Sequence, residues 1–379
     1  MKRLRIVISS DWFPPAYRAG GPIRSAFNLC ALLSEHHDIW VVTGSHDLGA
    51  EKALEVAKDR WNTIQINDAS IQVRYCSQGT LDRRLWSLLL DEISPNVLHL
   101  NSMFSKDYTL IPLRIARSRK FLRVVLAPRG MLGEAALSIK PLKKRIFLSI
   151  TRMMGLFRGV IWHASTSKEV SEVRTHFISA DVRTAQNLPT AFPSENPNRP
   201  VGHWKIVVIG RIHRVKNLDF GLKALLKASS NRSVLLDFIG PLEDENYQKE
   251  LADVVRAQEA VKVRFLGGIP PTELPEHLQA AHFLLSSTTQ ENFGHSIVEA
   301  WAHGCPVLIS DRTPWLQLQE KGIGWDLPLE PDAWQVGLTK ALTMNSAQWE
   351  IMSEESRDFF KTHVRNDEAE KANLELFCP

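Results

Sequence analysis

The strongest constraint on this chain is a strand–helix pattern that runs once, stops at a proline-rich break, and then starts again. Residues 4–9, 39–43, 71–75, 97–100, 123–127 and 160–164 are short apolar runs of strand length. Helical patterns lie between several of them, such as residues 23–34, where apolar side chains recur at three- and four-residue spacing. Alternation of this kind implies parallel strands joined by right-handed crossovers, hence a doubly wound sheet. Residues 187–203, NLPTAFPSENPNRPVGH, hold four prolines and no periodicity, which marks a linker. Strand-like runs resume at 205–209, 234–239, 261–265, 282–286 and 306–309. The expected organisation is an N-terminal domain over 1–190, a linker over 191–203 and a second α/β domain over 204–350. A helical tail over 351–379 is expected to return to brace the first domain. At 379 residues the chain suits two lobes of about 150–200 residues each. Two doubly wound units place ligands at the carboxyl ends of their strands, facing an interdomain cleft.

Composition removes several classes. No segment approaches the ~18 uninterrupted apolar residues of a membrane span. The start, MKRLRIVISSDWF, is too briefly apolar for a signal peptide, so a cytoplasmic location is expected. Cys30, Cys76, Cys305 and Cys378 are scattered without metal spacing, which favours reduced thiols. There is no Asp-x-Asp pair to hold a divalent metal on a diphosphate, and no metal ligand set is expected. Charge is uneven: residues 114–158 contain twelve Lys or Arg and one acid, Glu134, in a chain of net charge +4. An anionic partner is therefore expected there. Few aromatics are interleaved with these charges and no nucleic-acid motif is present, so nucleic acid is not expected.

Three glycine-containing turns carry the candidate chemistry. After the first strand, Gly20 and Gly21 open a helix, where backbone amides can approach an anion closely or simply make a strand–helix turn. GRIHRVKN, residues 210–217, brings Arg211 and Lys216 to one strand end; they can neutralise a diphosphate, or form a solvated basic loop. In ENFGHSIVEAWAHGCPVLIS, residues 291–310, Gly294 and His295 start a helix whose dipole suits phosphate oxygens. Glu299, one turn on, can accept from the vicinal hydroxyls of a ribose or can be a surface acid. Its neighbours Ile297, Val298, Ala300 and Trp301 make full exposure uncomfortable.

GRIHRVKN, followed by Glu291, seven intervening residues and Glu299, resembles glycosyltransferase family 4, a family of retaining enzymes with the GT-B fold. DWFPPAYRAGGP and APRGMLGEAALSIKPLKKR look like members acting in bacterial surface-polysaccharide assembly. The resemblance implies two Rossmann-like domains and transfer of a sugar from a nucleotide-diphosphate sugar, with no further cofactor. It implies that Arg211 and Lys216 hold the diphosphate, Glu291 the transferred sugar, Glu299 the ribose, and the Gly294–His295 backbone the phosphates. Gly20 and Gly21 would close on the diphosphate from the first domain. Many members carry His-x-His at the end of the fourth N-terminal strand, where this chain has His99-Leu100-Asn101. Asn101 can hydrogen-bond a sugar but cannot take a proton as imidazole does. His99, behind an apolar strand, is expected to be a satisfied core histidine.

A glycan or lipid-linked acceptor is expected on the first domain, with Arg129, Lys140 and Lys144 on the acceptor side. Lys140, Lys143, Lys144 and Arg145 alternate with Leu142, Ile146, Phe147, Ile150 and Met153. Such a helix can lie on the anionic inner face of a membrane, or be a core helix with a solvated basic face. The rival functions are a sugar-nucleotide epimerase or hydrolase of the same fold and a non-catalytic nucleotide-sugar-binding protein. Glu-x7-Glu argues against the first, and the presence of all four charged donor-site residues argues against the second.

Overall fold

The computed structural model describes residues 3–190, 202–229, 232–255 and 260–378. It divides into two compact units, Met1–Leu188 with Asp367–Pro379, and Pro189–Asn366. Most of the expected linker, residues 191–201, lies outside the described residues.

The first unit is built on β1 (Arg5–Ser9), β2 (Asp38–Gly44), β3 (Trp61–Ile66), β4 (Ala69–Cys76), β5 (Val97–Leu100), β6 (Arg123–Leu126), β7 (Ile161–Ala164) and β8 (Asp181–Thr184). Their order across the sheet is β3-β4-β2-β1-β5-β6-β7-β8. All pairings are parallel except β3 with β4. Ile8 of β1 faces Val41 on one side and His99 on the other. The order reverses between β1 and β5, and the carboxyl ends of these strands are where such sheets hold ligands.

The second unit carries β9 (Trp204–Ile209), β10 (Val234–Ile239), β11 (Val261–Gly267), β12 (Phe283–Ser286), β13 (Val307–Ser310) and β14 (Gly324–Leu327). They form one parallel sheet, β11-β10-β9-β12-β13-β14, with its reversal between β9 and β12. Apolar layers cover both faces: Leu222, Leu225, Leu338 and Trp334 on one, Ile297, Val298, Trp301 and Phe360 on the other.

The expected tail over 351–379 needs correction. Residues 351–366 stay with the second unit, because the helix Ser346–Phe359 is fastened there. Ser353 Oγ donates to Gly304 O at 2.6 Å, and Trp349 Nε1 donates to His282 O at 3.0 Å. Only residues 367–379 join the first unit. The helix Asp367–Glu375 is followed by fully buried Phe377, which packs among Ile6, Ile8, Val97, Val125 and Ile161.

Candidate active site

In the second unit the site grows from the reversal between β9 and β12. The loop after β9 makes a tight turn at Arg214–Lys216 and reaches Asn217, in the left-handed region with φ 51°. Asn217 Nδ2 donates to Ser287 O at 3.1 Å, and Ser287 Oγ returns a bond to Asn217 O at 2.7 Å. Ser310 Oγ, at the end of β13, donates to Thr288 O at 2.6 Å. Three adjacent strand ends are thereby knitted into one rigid rim, and Lys216 and Glu291 project from it.

Lys216 Nζ lies 2.8 Å from Glu291 Oε2, with both side chains about a quarter exposed. The Asn292 amide donates to Glu291 Oε1 at 3.2 Å. Burial pushes the Glu291 carboxyl up, but Lys216, the Asn292 amide and His295 outweigh it and hold the group below the usual carboxylate range. Glu291 is thus an anion tied to a cation.

Gly294 starts the helix His295–Ala302 from the left-handed region, with φ 78°. A side chain there would be strained, and its Cβ would sit 2.7 Å from Ile297 Cδ1 and 3.3 Å from Glu291 Cγ. No side chain caps this helix, and its amino end lies beside the Lys216–Glu291 pair, suited to anions. Glu299, on the same helix, is buried, so the surface-acid alternative for it does not hold.

Arg211 does not join this cluster. Its guanidinium is directed to Glu243, with Nη1 3.0 and 3.1 Å from the two carboxylate oxygens. Glu243 lies beyond β10, and the acid nearest in space captures a long, half-exposed side chain. Of the four charged residues expected to converge, Lys216 and Glu291 are in contact and Glu299 is on the helix beside them. Arg211 stands on the same strand end but is turned away.

The first unit arranges its polar groups differently. Gly20 precedes the helix Gly21–His36 in the left-handed region, with φ 67°. Its loop is held by the buried Asp47 carboxylate, which accepts from the amides of Tyr17 at 2.9 Å, Arg18 at 3.1 Å and Leu48 at 2.7 Å. Asn101, buried after β5, donates to Pro22 O at 3.1 Å and to Ser10 Oγ at 3.3 Å, and accepts from Arg129 Nε at 2.8 Å. Both ends of the Asn101 amide are thus engaged in holding the glycine turn and Arg129.

Arg129 itself adopts φ 53°, rare for a side-chain-bearing residue, and also donates to Asn187 Oδ1. Its neighbour Gly130 donates its amide to buried Glu169 Oε1 at 2.6 Å, whose other oxygen accepts from the Ser165 amide and hydroxyl. Burial lowers the Arg129 pKa to about 10, with Glu169 opposing the shift. Sequence reasoning missed Asp47, Glu169 and Asn187. Asp47 and Asn187 are isolated loop residues, and Glu169 in the first turn of the helix Ser167–His176 looks like an ordinary helix-start acid.

His99 is in the core, but the expectation of a satisfied histidine fails. Neither ring nitrogen finds a hydrogen-bond partner among the described residues, and the ring packs against His163 and Phe377. Desolvation and the nearby Arg129 keep it neutral. Lys144, expected on the acceptor side, is engaged within the first unit. Its Nζ donates to Ala136 O at 2.5 Å and lies over the Phe104 ring, so it does not share a face with Lys143 and Arg145. Lys140, with φ 54°, occupies the position before the helix Pro141–Met153 and makes no side-chain capping bond. Among the described residues, no three His, Cys, Asp or Glu are grouped to hold a metal ion.

Comparison with known proteins agrees with this architecture. Residues 192–352 match the family model "Glycosyl transferases group 1". Poly(glycerol-phosphate) alpha-glucosyltransferase of Bacillus subtilis (strain 168) is 34% identical over 116 residues, 30% of this chain and 16% of that protein. The chain therefore matches only a small part of the length of that relative. Sucrose-phosphate synthase of Thermosynechococcus elongatus superposes with a TM-score of 0.71 at 16% identity, covering 99% of this chain and 97% of its own. HepE of Anabaena, in complex with UDP and glucose, gives 0.69 at 14% identity, covering 99% and 98%. Residues 192–352 accordingly resemble group 1 glycosyl transferases, in a chain whose two Rossmann-like units have the GT-B fold.

Proposed function

We propose that the chain is a retaining, metal-independent glycosyltransferase of glycosyltransferase family 4. It would move a hexose or related sugar from a nucleotide-diphosphate sugar to a glycan or lipid-linked acceptor, in the cytoplasm, during bacterial polysaccharide assembly. The observation that carries this reading is the Lys216–Glu291 pair, 2.8 Å apart at the sheet reversal and beside the uncapped start of His295–Ala302.

In this reading the diphosphate sits against Lys216 and the amides at Gly294 and His295. As the bond between the sugar and the diphosphate breaks, negative charge gathers on the leaving phosphate. A cation already fixed in place stabilises that charge more in the transition state than in the ground state. Glu291 orients Lys216 and accepts from sugar hydroxyls; Glu299 accepts from the ribose. Arg211 turns from Glu243 to the phosphates when donor arrives. The acceptor hydroxyl adds to the same face of the sugar and its proton passes to the departing phosphate, which retains the anomeric configuration. Two cations and a helix start supply the neutralisation that a metal gives elsewhere, and no Asp-x-Asp pair is present.

The relatives suggest where to start. One is named for alpha-glucosyl transfer to poly(glycerol-phosphate), and one binds UDP and glucose. UDP-glucose is the first donor to test, and a phosphate-bearing acceptor suits the basic residues 114–158. Donors that bind should raise the melting temperature by mass action in a panel of UDP-, GDP-, ADP- and dTDP-sugars. NMR of the product should show the donor's anomeric configuration. An inverted product, or no shift with any donor, would sink the proposal.

A further inference from the structure

The helix Pro141–Met153 has its amphipathicity turned outward. At about 100° per residue, Leu142, Ile146, Ile150 and Met153 fall within about 80° of one another, and they are 45–83% exposed. Lys143 flanks this stripe on one side, Arg145 and Arg152 on the other. The opposite face holds Leu148 and Thr151, both buried, and Phe147, which meets Phe104 in the core. A core helix with a solvated basic face would present the reverse pattern.

The same character continues past the helix end. Met154 follows, and the loops entering β6 and β8 expose Phe121 and Ile178, at 95% and 88%. Arg117 Nη1 ties the first of these loops to Gly155 O at 2.8 Å. Between the helix end and the loop into β8 lies a cavity of about 630 Å³ bordered by Arg152, Arg158, His176, Ile178 and Asp181, the last paired with Arg183 at 3.4 Å. Exposed apolar side chains framed by cations, beside a basic hollow, match the section of a bilayer surface: acyl chains, then phosphates.

We infer that this face of the first unit docks on an anionic phospholipid membrane. Leu142, Ile146, Ile150 and Met153 enter the acyl boundary, and Arg152 and Arg158 receive a headgroup phosphate in the adjoining cavity. Charge selects this occupant over a second copy of the chain, since two copies meeting here would oppose their own Lys and Arg clusters. The helix is about 20 Å long, and no described helix is long and apolar enough to cross a membrane. The chain therefore lies on the surface through this face. The inference stands apart from the donor chemistry, and its test needs neither donor nor acceptor.

The experiment is flotation of the full chain with phosphatidylglycerol–phosphatidylcholine vesicles and with phosphatidylcholine alone, with sedimentation velocity in parallel. The parent should float with the anionic vesicles and remain behind with neutral ones. Leu142→Gln/Ile146→Gln/Met153→Gln should lower partition at least about tenfold with an unchanged melting temperature, because all three side chains are exposed. Arg152→Gln/Arg158→Gln should reduce the preference for anionic over neutral vesicles. A parent that does not float, or a triple variant that floats like the parent, overturns the inference. So does a dimer that the triple substitution converts to monomer without any vesicle binding, since the face would then be a self-association surface.

Discussion

The two units end their central strands in similar loops yet treat charge in opposite ways. In the second, Lys216 and Glu291 pair within reach of water, and Arg211 spans to Glu243 at the surface. In the first, Arg129 is partly buried and its hydrogen bonds are taken by Asn101 and Asn187. A cation that must meet successive phosphates is best left accessible. One that holds three loops together is best enclosed, where each bond is stronger and each loss more costly. On the proposed reading the contrast divides the work: the second unit's charges act on the donor, and the first unit's polar network holds the glycine turn.

Separating activity from stability is the way to break this comparison. Lys216→Ala should give the largest effect, lowering turnover about 10²–10³-fold, as loss of a single charge-stabilising donor does. Its melting temperature should barely move, since Glu291 keeps solvent contact. Steady-state kinetics beside a thermal melt checks both halves, and a collapsed fold would erase the distinction. Arg129→Ala should do the converse. It strands the buried amide oxygens of Asn101 and Asn187, which costs about 3 kcal/mol and lowers the melting temperature by about 5–10 °C.

Acid sharpens the same contrast. Burial and Arg129 hold His163 down to about 3, and His99 is lowered well below its ordinary value. Both are neutral when folded and take up protons more readily when unfolded. Their contribution is therefore complete above pH ~6.5 and is lost as pH falls towards the folded values. The loss is about 1.4 kcal/mol per pH unit for each histidine. Urea titrations between pH 7 and 4, followed by hydrogen exchange, should show amides of the first unit losing protection before those of the second. Smaller still is the effect of Glu243→Gln, which releases Arg211 from an exposed ion pair and should tighten donor binding by no more than about fivefold. EDTA should leave the rate unchanged; activity that vanished and returned with Mg²⁺ would remove Lys216 from its assigned part.

Much of this was legible in the sequence, for reasons that also explain the remainder. Largely buried parallel strands such as β1, β5, β9 and β13 are mostly apolar runs, so they stood out at nearly their true bounds. β3 and β8 lie at sheet edges and carry polar residues, and β14 reads GWDL, so none announces itself. Lys216 and Glu291 were found because a glycine turn and a helix start bracket them. Arg211 was legible on its strand end, but its pairing with Glu243, 32 positions away, was not. The basic segment was seen as charge; which of its cations face outward needed the helix phase, and Lys144 proved to point inward.

One consequence of the returning tail concerns the order in which the molecule can be completed. The core of the first unit is closed by Leu376 and Phe377, while the whole of the second unit precedes them in the chain. During synthesis, at about 5–20 residues per second, the second unit can finish packing while the first, though translated earlier, still waits for its last hydrophobic layer. The part of the molecule made first is thus sealed last, and a released chain truncated before residue 376 would hold a packed second unit while the first unit lacked its closing layer.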